Sequence, residues 1–180
     1  MGLRYRTQLL DYHCFFITTT FYKRIRHLED PRIVAIINES FHFVNEKYAC
    51  RLIAYVWMPD HIHFICYFEK ENKLIEYMRD FKKYTSFRIR RLITADGNDA
   101  LMKRLTFEYR AQKFKVWDDR FHDVHLFTRK ALLIRLNYIH DNPVRAGLVS
   151  EAIHYPYSSA AFYFKEAACP FPILHLNEVA

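Results

Sequence analysis

The segment CRLIAYVWMPDHIHFICYF, residues 50–68, decides the fold of this 180-residue chain. Residues 50–58 and 61–68 are rich in β-branched and aromatic side chains, which favour β-strands. Pro59 and Asp60 stand between these two runs, and both residue types are typical of tight turns. The segment therefore predicts a β-hairpin whose two strands are antiparallel neighbours in one sheet.

Hydrophobic periodicity predicts two further strands and three helices around this hairpin. In chain order they are a strand over 13–22, a helix from Pro31 to about Lys47, a helix capped by Asn72, a strand within 116–127, and a helix that Thr128 caps and Pro143 stops after Asn142. The resulting order, β-α-β-β-α-β-α, is the ferredoxin-like split βαβ order with one additional helix. We therefore predict an α+β fold with an antiparallel four-stranded sheet. Residues 100–115 are ambiguous, and 152–180 are expected to be mostly irregular.

The length predicts a single domain over 1–180, or at most one domain with a tail. Hydrophobic residues make up 51% of the chain, which is enough for a core and argues against disorder. Only 3 glycines are present, which excludes a Gly-rich phosphate-binding loop. The chain has no apolar run of about 18 residues, and no apolar stretch directly follows its N-terminus. We expect no membrane span, no secretory signal and a cytoplasmic location.

Four cysteines, at positions 14, 50, 66 and 169, form no CxxC pair and no zinc-ribbon spacing. Cys14, Cys50 and Cys66 lie in or beside apolar runs that are predicted as strands. We therefore expect small buried hydrophobic side chains in a reducing compartment, rather than disulfides or metal ligands.

Positive charge is concentrated in one segment of a chain whose formal net charge is +7. Residues 79–91 contain six Lys or Arg and a single Asp, interleaved with aromatic residues. That composition suits a phosphate backbone with bases stacked nearby, so we expect a nucleic acid as partner. A membrane surface, an acidic protein, or a basic helix face that only meets solvent are the alternatives. The residues expected to contact the nucleic-acid backbone are Lys82, Lys83, Arg88, Arg91 and Arg120.

His61 and His63 form a His-x-His pair at the start of the third predicted strand. Alternate strand residues point to one face, so the two imidazoles project together, about 7 Å apart at Cα. This spacing suits one shared divalent cation, although paired histidines on strands also serve structural roles. Tyr138 and Asn142 stand four residues apart and share one face of the last predicted helix. Tyr138 is either a core aromatic residue or a nucleophile, which would require that helix to pack near the third strand.

Four stretches together resemble the single-tyrosine HUH transposases, in particular their REP-associated tyrosine transposase branch. They are AYVWMPDHIH at 54–63, FKKYT at 81–85, VWDDRFHD at 116–123 and NYIHDNPVRAG at 137–147. With the first strand and the sequence YPYSS at 155–159, the resemblance covers about residues 10–160. It therefore implies a domain core at about 10–160 and a C-terminal tail at 161–180. Each motif alone is modest evidence, whereas the four in this order and spacing are specific to the family.

The resemblance implies a ferredoxin-like core whose additional C-terminal helix carries the nucleophile, Tyr138. It implies that His61 and His63 bind Mg²⁺ or Mn²⁺, and that Asn142, one turn after the tyrosine, completes the metal site. The implied substrate is single-stranded DNA with a palindromic hairpin. The implied reaction cleaves this DNA through a 5′-phosphotyrosine intermediate and then rejoins it.

Tyr84, in the FKKYT stretch, is the rival nucleophile, and we prefer Tyr138 because of the Asn-Pro-Val sequence that follows it. The main functional alternative is a domesticated relative that binds hairpin DNA without cutting it. A phosphoesterase of the 2H type would need two separated His-x-Thr or His-x-Ser motifs, and the sequence has none. The resemblance is compatible with a homodimer that exchanges the tyrosine helix and with a monomer. It assigns no function to residues 93–115.

Overall fold

The computed structural model describes residues 13–106 and 114–179. Its strands are β1 Cys14–Thr20, β2 Cys50–Met58, β3 His61–Phe68 and β4 His122–His125. Its helices are α1 Pro31–Lys47, α2 Leu74–Ala95, α3 Asp99–Leu105, α4 Arg129–Arg145 and α5 Ala160–Lys165. Short 3₁₀ turns lie at 22–24, 27–29, 152–154 and 176–178. Within these described ranges, no helix combines the length and the apolar character that crossing a bilayer requires.

The strands form one antiparallel sheet in the spatial order β2-β3-β1-β4, which confirms the predicted α+β fold class. The predicted hairpin is present, with Met58 opposite His61 at its closed end. α1 begins at Pro31 and ends at Lys47, as the periodicity predicts. Its N-terminus is capped by Asp30, whose carboxylate accepts a hydrogen bond from the backbone N–H of the second helical residue.

Hydrophobic layers cover both faces of the sheet because successive strand residues point to opposite sides. α1 and α2 cover one face, where Phe41 stacks on Trp57 with ring centroids 4.7 Å apart. α4 packs on β2 and β3 from the other side, and buries Leu136 and Ile139 there. His63 lies on this second face, so the fold brings α4 next to the His-x-His pair.

The prediction that Pro143 stops the last helix after Asn142 is wrong, because α4 continues through the proline to Arg145. A proline removes one N–H donor and crowds the carbonyl four residues earlier. Here only the final turn is affected, and the helix closes two residues later. Gly147, at a φ of +69°, adopts the left-handed conformation that glycine tolerates at a helix end. Its N–H donates to the carbonyl of Val144.

Other element boundaries also differ from the predictions. β1 is shorter than the predicted 13–22, because the chain turns into a 3₁₀ segment before that range ends. β4 takes up only four residues of its predicted range. Asn72 does support the start of α2, since its Oδ1 accepts a hydrogen bond from the backbone N–H of Leu74. α3 accounts for the first part of the ambiguous 100–115, and 107–113 lie outside the described residues.

The C-terminal segment is mostly irregular, as predicted, but it packs on the sheet and covers its β2 edge. The N–H of Trp57 donates to the carbonyl of Tyr157 at 2.8 Å, and the N–H of Leu174 donates to that of Leu52 at 2.8 Å. Phe171 is buried beside Trp57 in the layer under α1. Residues of the expected tail therefore contribute to the hydrophobic core and satisfy the backbone of an edge strand.

Three cysteines occupy the buried strand positions that the apolar pattern predicts. Cys14, Cys50 and Cys66 are buried, and Cys169 is half-buried. Burial raises the pKa of the Cys14 and Cys66 thiols well above the ordinary value. These two thiols are therefore protonated near neutral pH and pack as small hydrophobic groups.

Candidate active site

His61 and His63 lie side by side at the start of β3, on the face that α4 covers. Their ring centroids are 4.7 Å apart, with the ring planes at 81° to each other. Ile62, between them, points into the opposite layer under α1 and α2. The prediction from strand alternation that the two imidazoles share one face is confirmed.

Each imidazole is held at Nδ1 by an oxygen atom from a neighbouring side chain. His63 Nδ1 is hydrogen-bonded to Thr18 Oγ1 at 2.7 Å, and His61 Nδ1 to Asp60 Oδ1 at 2.6 Å. Asp60 is held in turn by Arg24, whose Nη1 lies 3.2 Å from the second carboxylate oxygen. Partners at Nδ1 fix the orientation and tautomer of an imidazole and leave Nε2 as the ligating atom.

Burial is the main cause that lowers the pKa of His63 to about 3, and the charge of the neighbouring His61 adds to this effect. His63 is therefore neutral near pH 7, the form in which imidazole binds metals. Burial of Asp60 opposes ionisation, but the bonds from His61 and Arg24 bring its pKa below the usual value. Asp60 is therefore an anion that accepts the Nδ1 proton of His61.

Tyr138 lies on α4 with its ring against the His-x-His pair. Its ring centroid is 5.3 Å from that of His63 and 5.8 Å from that of Phe16, and the side chain is half-buried. The two histidines and this tyrosine belong to the same chain and the same face of the sheet. The packing of the last helix near the third strand, which a role for Tyr138 requires, is therefore present.

The rival tyrosine lies on the other side of the sheet. Tyr84 belongs to α2, stacks on Phe43 with ring centroids 6.2 Å apart, and accepts a hydrogen bond from Arg88. The sheet separates this residue from the His-x-His pair.

Asn142 follows Tyr138 by one turn of α4, as the sequence spacing predicts. Its Nδ2 donates to the carbonyl of Tyr138 at 3.3 Å, which leaves Oδ1 as the remaining polar atom of the amide. Across 13–106 and 114–179, no three His, Cys, Asp or Glu side chains gather into a metal site. A cation held here would therefore depend on two imidazole Nε2 atoms, the amide oxygen, and ligands from substrate and solvent. This mixed donor set fits Mn²⁺ or a loosely held Mg²⁺.

The sequence analysis did not identify the residues that hold the His-x-His pair or that flank Tyr138. Thr18 belongs to a run of three threonines in β1, and only the β1–β3 register brings it opposite His63. Arg135 and Arg145 lie on α4 on either side of Tyr138 along the helix. The guanidinium of Arg145 lies 5.8 Å from the centre of the Tyr138 ring. The only sequence signal for these arginines is their spacing on the helix: they stand three residues before and seven residues after Tyr138.

The predicted DNA-contacting residues lie apart from the cluster of Tyr138, His61 and His63, which we call the Tyr138 cluster. Four of them lie on α2, in the opposite layer, and Arg120 is an exposed residue just before β4. Lys82 already donates to the backbone carbonyl of Asp118 at 2.8 Å, and burial lowers its pKa to about 8. Arg88 is paired with Glu39 at 3.0 Å. The remaining two on α2, Lys83 and Arg91, are exposed.

His140, inside the NYIHDNPVRAG stretch, is a buried core residue. Its Nε2 is hydrogen-bonded to Ser159 Oγ at 2.9 Å, and burial lowers its pKa to about 4. Ser159 is itself bonded to the backbone of Tyr55 in β2. His140 thus links α4 to β2 through Ser159. It is not in ring contact with His61 or His63.

Comparisons with known proteins agree with this fold. The family model described as "Transposase IS200 like" matches residues 6–142, so the chain belongs to the IS200-like transposase family. Among solved structures, the chain is similar to a REP-associated tyrosine transposase bound to a REP hairpin, at 18% identity with a TM-score of 0.65. That match covers 97% of this chain and 93% of the other.

A second solved structure, a candidate transposase from Deinococcus radiodurans, is similar at 14% identity with a TM-score of 0.45. This match covers 78% of this chain and 96% of that one. A search of curated proteins found no significant match. The expected resemblance to tyrosine transposases is therefore confirmed by the family model and by the fold of the REP-associated protein.

Proposed function

We propose that this chain is a metal-dependent single-stranded DNA endonuclease and strand transferase that cuts and rejoins DNA at palindromic hairpins. Membership of the IS200-like transposase family supports DNA processing. The REP-associated transposase of similar fold is bound to a REP hairpin, which supports a hairpin as the substrate. The observation that carries the proposal is the packing of the Tyr138 ring 5.3 Å from that of His63, beside His61.

In the proposed reaction, the phenolic oxygen of Tyr138 attacks the phosphorus of the scissile phosphodiester. The new bond joins phosphorus to the tyrosine, and the bond to the 3′-oxygen breaks. The phenolic proton is transferred overall to that oxygen, which leaves as a 3′-hydroxyl. The 5′-phosphotyrosine conserves the ester bond, so another 3′-hydroxyl reverses the step and joins two ends without ATP.

The chain's own side chains prepare this site in two ways. Thr18 and Asp60 hold the Nδ1 atoms of His63 and His61, so Nε2 is the nitrogen that each imidazole has left to bind a cation. Packing against His63 and Phe16 limits the positions that the Tyr138 ring can adopt. The residues that would hold Mg²⁺ or Mn²⁺ are His61, His63 and Asn142. A bound divalent cation supplies Lewis-acid stabilisation of the charge that develops on the phosphate.

Covalent adduct formation tests this proposal. Single-stranded oligonucleotides with a hairpin and randomised flanks, labelled at the 3′ end, are incubated with protein and Mn²⁺ and run on denaturing gels. The wild type should retain label on the protein, and Tyr138→Phe should not, while still binding the hairpin in native gels. Tyr84→Phe is the matched control and should form adducts. Hairpin binding by the wild type with no adduct at any time point would instead identify a non-cutting DNA-binding protein.

A further inference from the structure

The described residues leave part of the sheet face beside α4 uncovered. α4 packs on β2 and β3, whereas on β4 Val124 is 39% exposed and His122 is exposed. The β1–β4 register pairs Phe16 with Val124 and Thr18 with His122, and directly opposed residues share a face. This open strip therefore continues the face that carries His63, and it adjoins Tyr138.

Arg135 borders both the strip and the reacting side chains. It lies one turn before Tyr138 on α4, and its guanidinium carbon is 4.8 Å from the centre of the Phe16 ring. The Phe16 ring centroid is in turn 5.6 Å from that of His63 and 5.8 Å from that of Tyr138. The charge of Arg135 also contributes to the low pKa of His63, which agrees with this proximity.

No carboxylate of residues 13–106 or 114–179 neutralises the charge of Arg135, although six other arginines form ion pairs with Asp or Glu. The acid nearest the His-x-His pair in sequence, Asp60, is already bonded to His61 and Arg24. A half-buried guanidinium that rests on an aromatic ring and lacks an acid is suited to bind an anion from outside the chain.

We propose that Arg135 is a further catalytic residue, which binds a non-bridging oxygen of the phosphodiester that Tyr138 attacks. The DNA strand then lies over the open strip of β1 and β4. Negative charge on these oxygens increases as the phenolic oxygen approaches phosphorus, so a fixed cation stabilises the transition state more than the ground state. This inference rests on the proposed function and assigns the phosphate contact within it.

Single-turnover cleavage by Arg135→Met tests the assignment. With protein in excess over labelled hairpin DNA, the rate of adduct formation should fall about 100-fold, while hairpin affinity changes far less. The rate should fall less in Arg135→Lys, because lysine keeps the positive charge, although it lacks the planar donors of the guanidinium. Lys130→Met is the matched control. It removes the same charge from an exposed position on α4, about 12 Å along the helix axis from Tyr138, and should cleave at the wild-type rate.

A methylphosphonate at the scissile position separates phosphate binding from a structural role. This linkage lacks the charged oxygen, so the difference in rate between wild type and Arg135→Met should largely disappear on it. An equal loss on both substrates would overturn the proposal and assign Arg135 to the packing of Phe16. The proposal would also be overturned if Arg135→Met cleaved the natural linkage at the wild-type rate. Absence of adducts with the wild type itself would overturn the proposed function instead.

Discussion

At the scale of single residues, the hydrogen bonds at Nδ1 determine how the two imidazoles are presented. Thr18 and Asp60 each supply one oxygen, and the rings are further restricted by contact with Phe16 and Tyr138. Because His63 is buried, loss of its Nδ1 partner would leave a polar nitrogen unpaired or let the ring change its orientation. Either change would affect Nε2, the atom that we propose as metal ligand.

Thr18→Val removes this partner with little change in shape. We expect the affinity for Mn²⁺, measured by calorimetry on the purified protein, to fall at least about 10-fold. Thr19→Val is the matched control, because Thr19 Oγ1 is buried and has no hydrogen-bond partner in the described part of the chain. That variant should bind Mn²⁺ like the wild type. Equal Mn²⁺ affinity for Thr18→Val would show that the hydroxyl does not support the site.

Sequence reasoning at this scale succeeds where the relation is local. The shared face of His61 and His63 follows from strand alternation, and the shared face of Tyr138 and Asn142 from helical spacing. Thr18 and Arg135 come to the site through the register of β1 on β3 and the docking of α4. These contacts join residues that are distant in sequence and depend on side-chain packing, so a single sequence does not reveal them.

At the scale of elements, α2 combines two kinds of basic residue that the sequence does not distinguish. The ammonium group of Lys82 is directed at the backbone carbonyls of 118–120, where it holds the loop before β4 against the helix. Lys83, its neighbour, is exposed and forms no ion pair among the described residues. We therefore expect Lys82 to serve stability and Lys83 to serve DNA binding.

Lys82→Met and Lys83→Met separate these roles. Lys82→Met should lower the free energy of unfolding in urea by about 2 kcal/mol, because three carbonyls lose their donor. Lys83→Met should change it by less than about 0.5 kcal/mol. In salt titrations of hairpin binding, Lys83→Met should reduce the slope of log K against log salt by about 0.7, the value for one phosphate contact. The reverse pattern would contradict the assignment.

His27, in the 3₁₀ turn at 27–29, should make stability depend on pH. His27 is buried edge-on to Phe21, and burial, with a smaller effect of the charge on Arg104, lowers its pKa to about 4. The unfolded chain binds this proton at about pH 6.5, so stability should fall as pH drops from 6.5 towards 4, by up to about 1.4 kcal/mol per pH unit.

Urea unfolding at pH 7, 6 and 5 measures this dependence. His27→Leu should lose less stability between pH 7 and pH 5 than the wild type does. His154→Gln, at an exposed position, controls for the removal of a histidine. The same pH-dependent loss in His27→Leu and wild type would rule out His27 as a source.

Elements are predicted well from sequence where their signals are local and strong. The hairpin at 50–68 and α1 have the predicted bounds because turn, cap and periodicity agree. Pro143 misleads, because a proline one turn from a helix end costs less than the packing of α4 gains. The C-terminal segment is mostly irregular, as predicted, but its packing was not foreseen, because it depends on hydrogen bonds to β2 and on burial of Phe171.

At the scale of the whole molecule, the sheet separates the Tyr138 cluster from the basic surface of α2. The rings of Tyr138, His61 and His63 pack together within one chain, so we expect the proposed site to act without a partner subunit. This arrangement favours catalysis in cis over exchange of the tyrosine helix between two copies.

Mixing two inactive variants tests whether the site is complete in one chain. Tyr138→Phe and His63→Ala should each fail to form adducts, and their mixture should fail too, because neither chain has both groups. A mixture of wild type and Tyr138→Phe is the control and should keep the activity of the wild-type share. Recovery of cleavage in the mixture of the two inactive variants would mean that the tyrosine acts in a partner's site.

Mass spectrometry of the covalent adduct tests the central claim most directly. After reaction with hairpin DNA and Mn²⁺, the protein is treated with nuclease and trypsin, and the remaining nucleotide is located. We expect it on the peptide covering residues 136–145, joined through a phosphodiester to Tyr138. A nucleotide on Tyr84 or on any other residue, or unmodified protein after the DNA has been cut, would contradict the account.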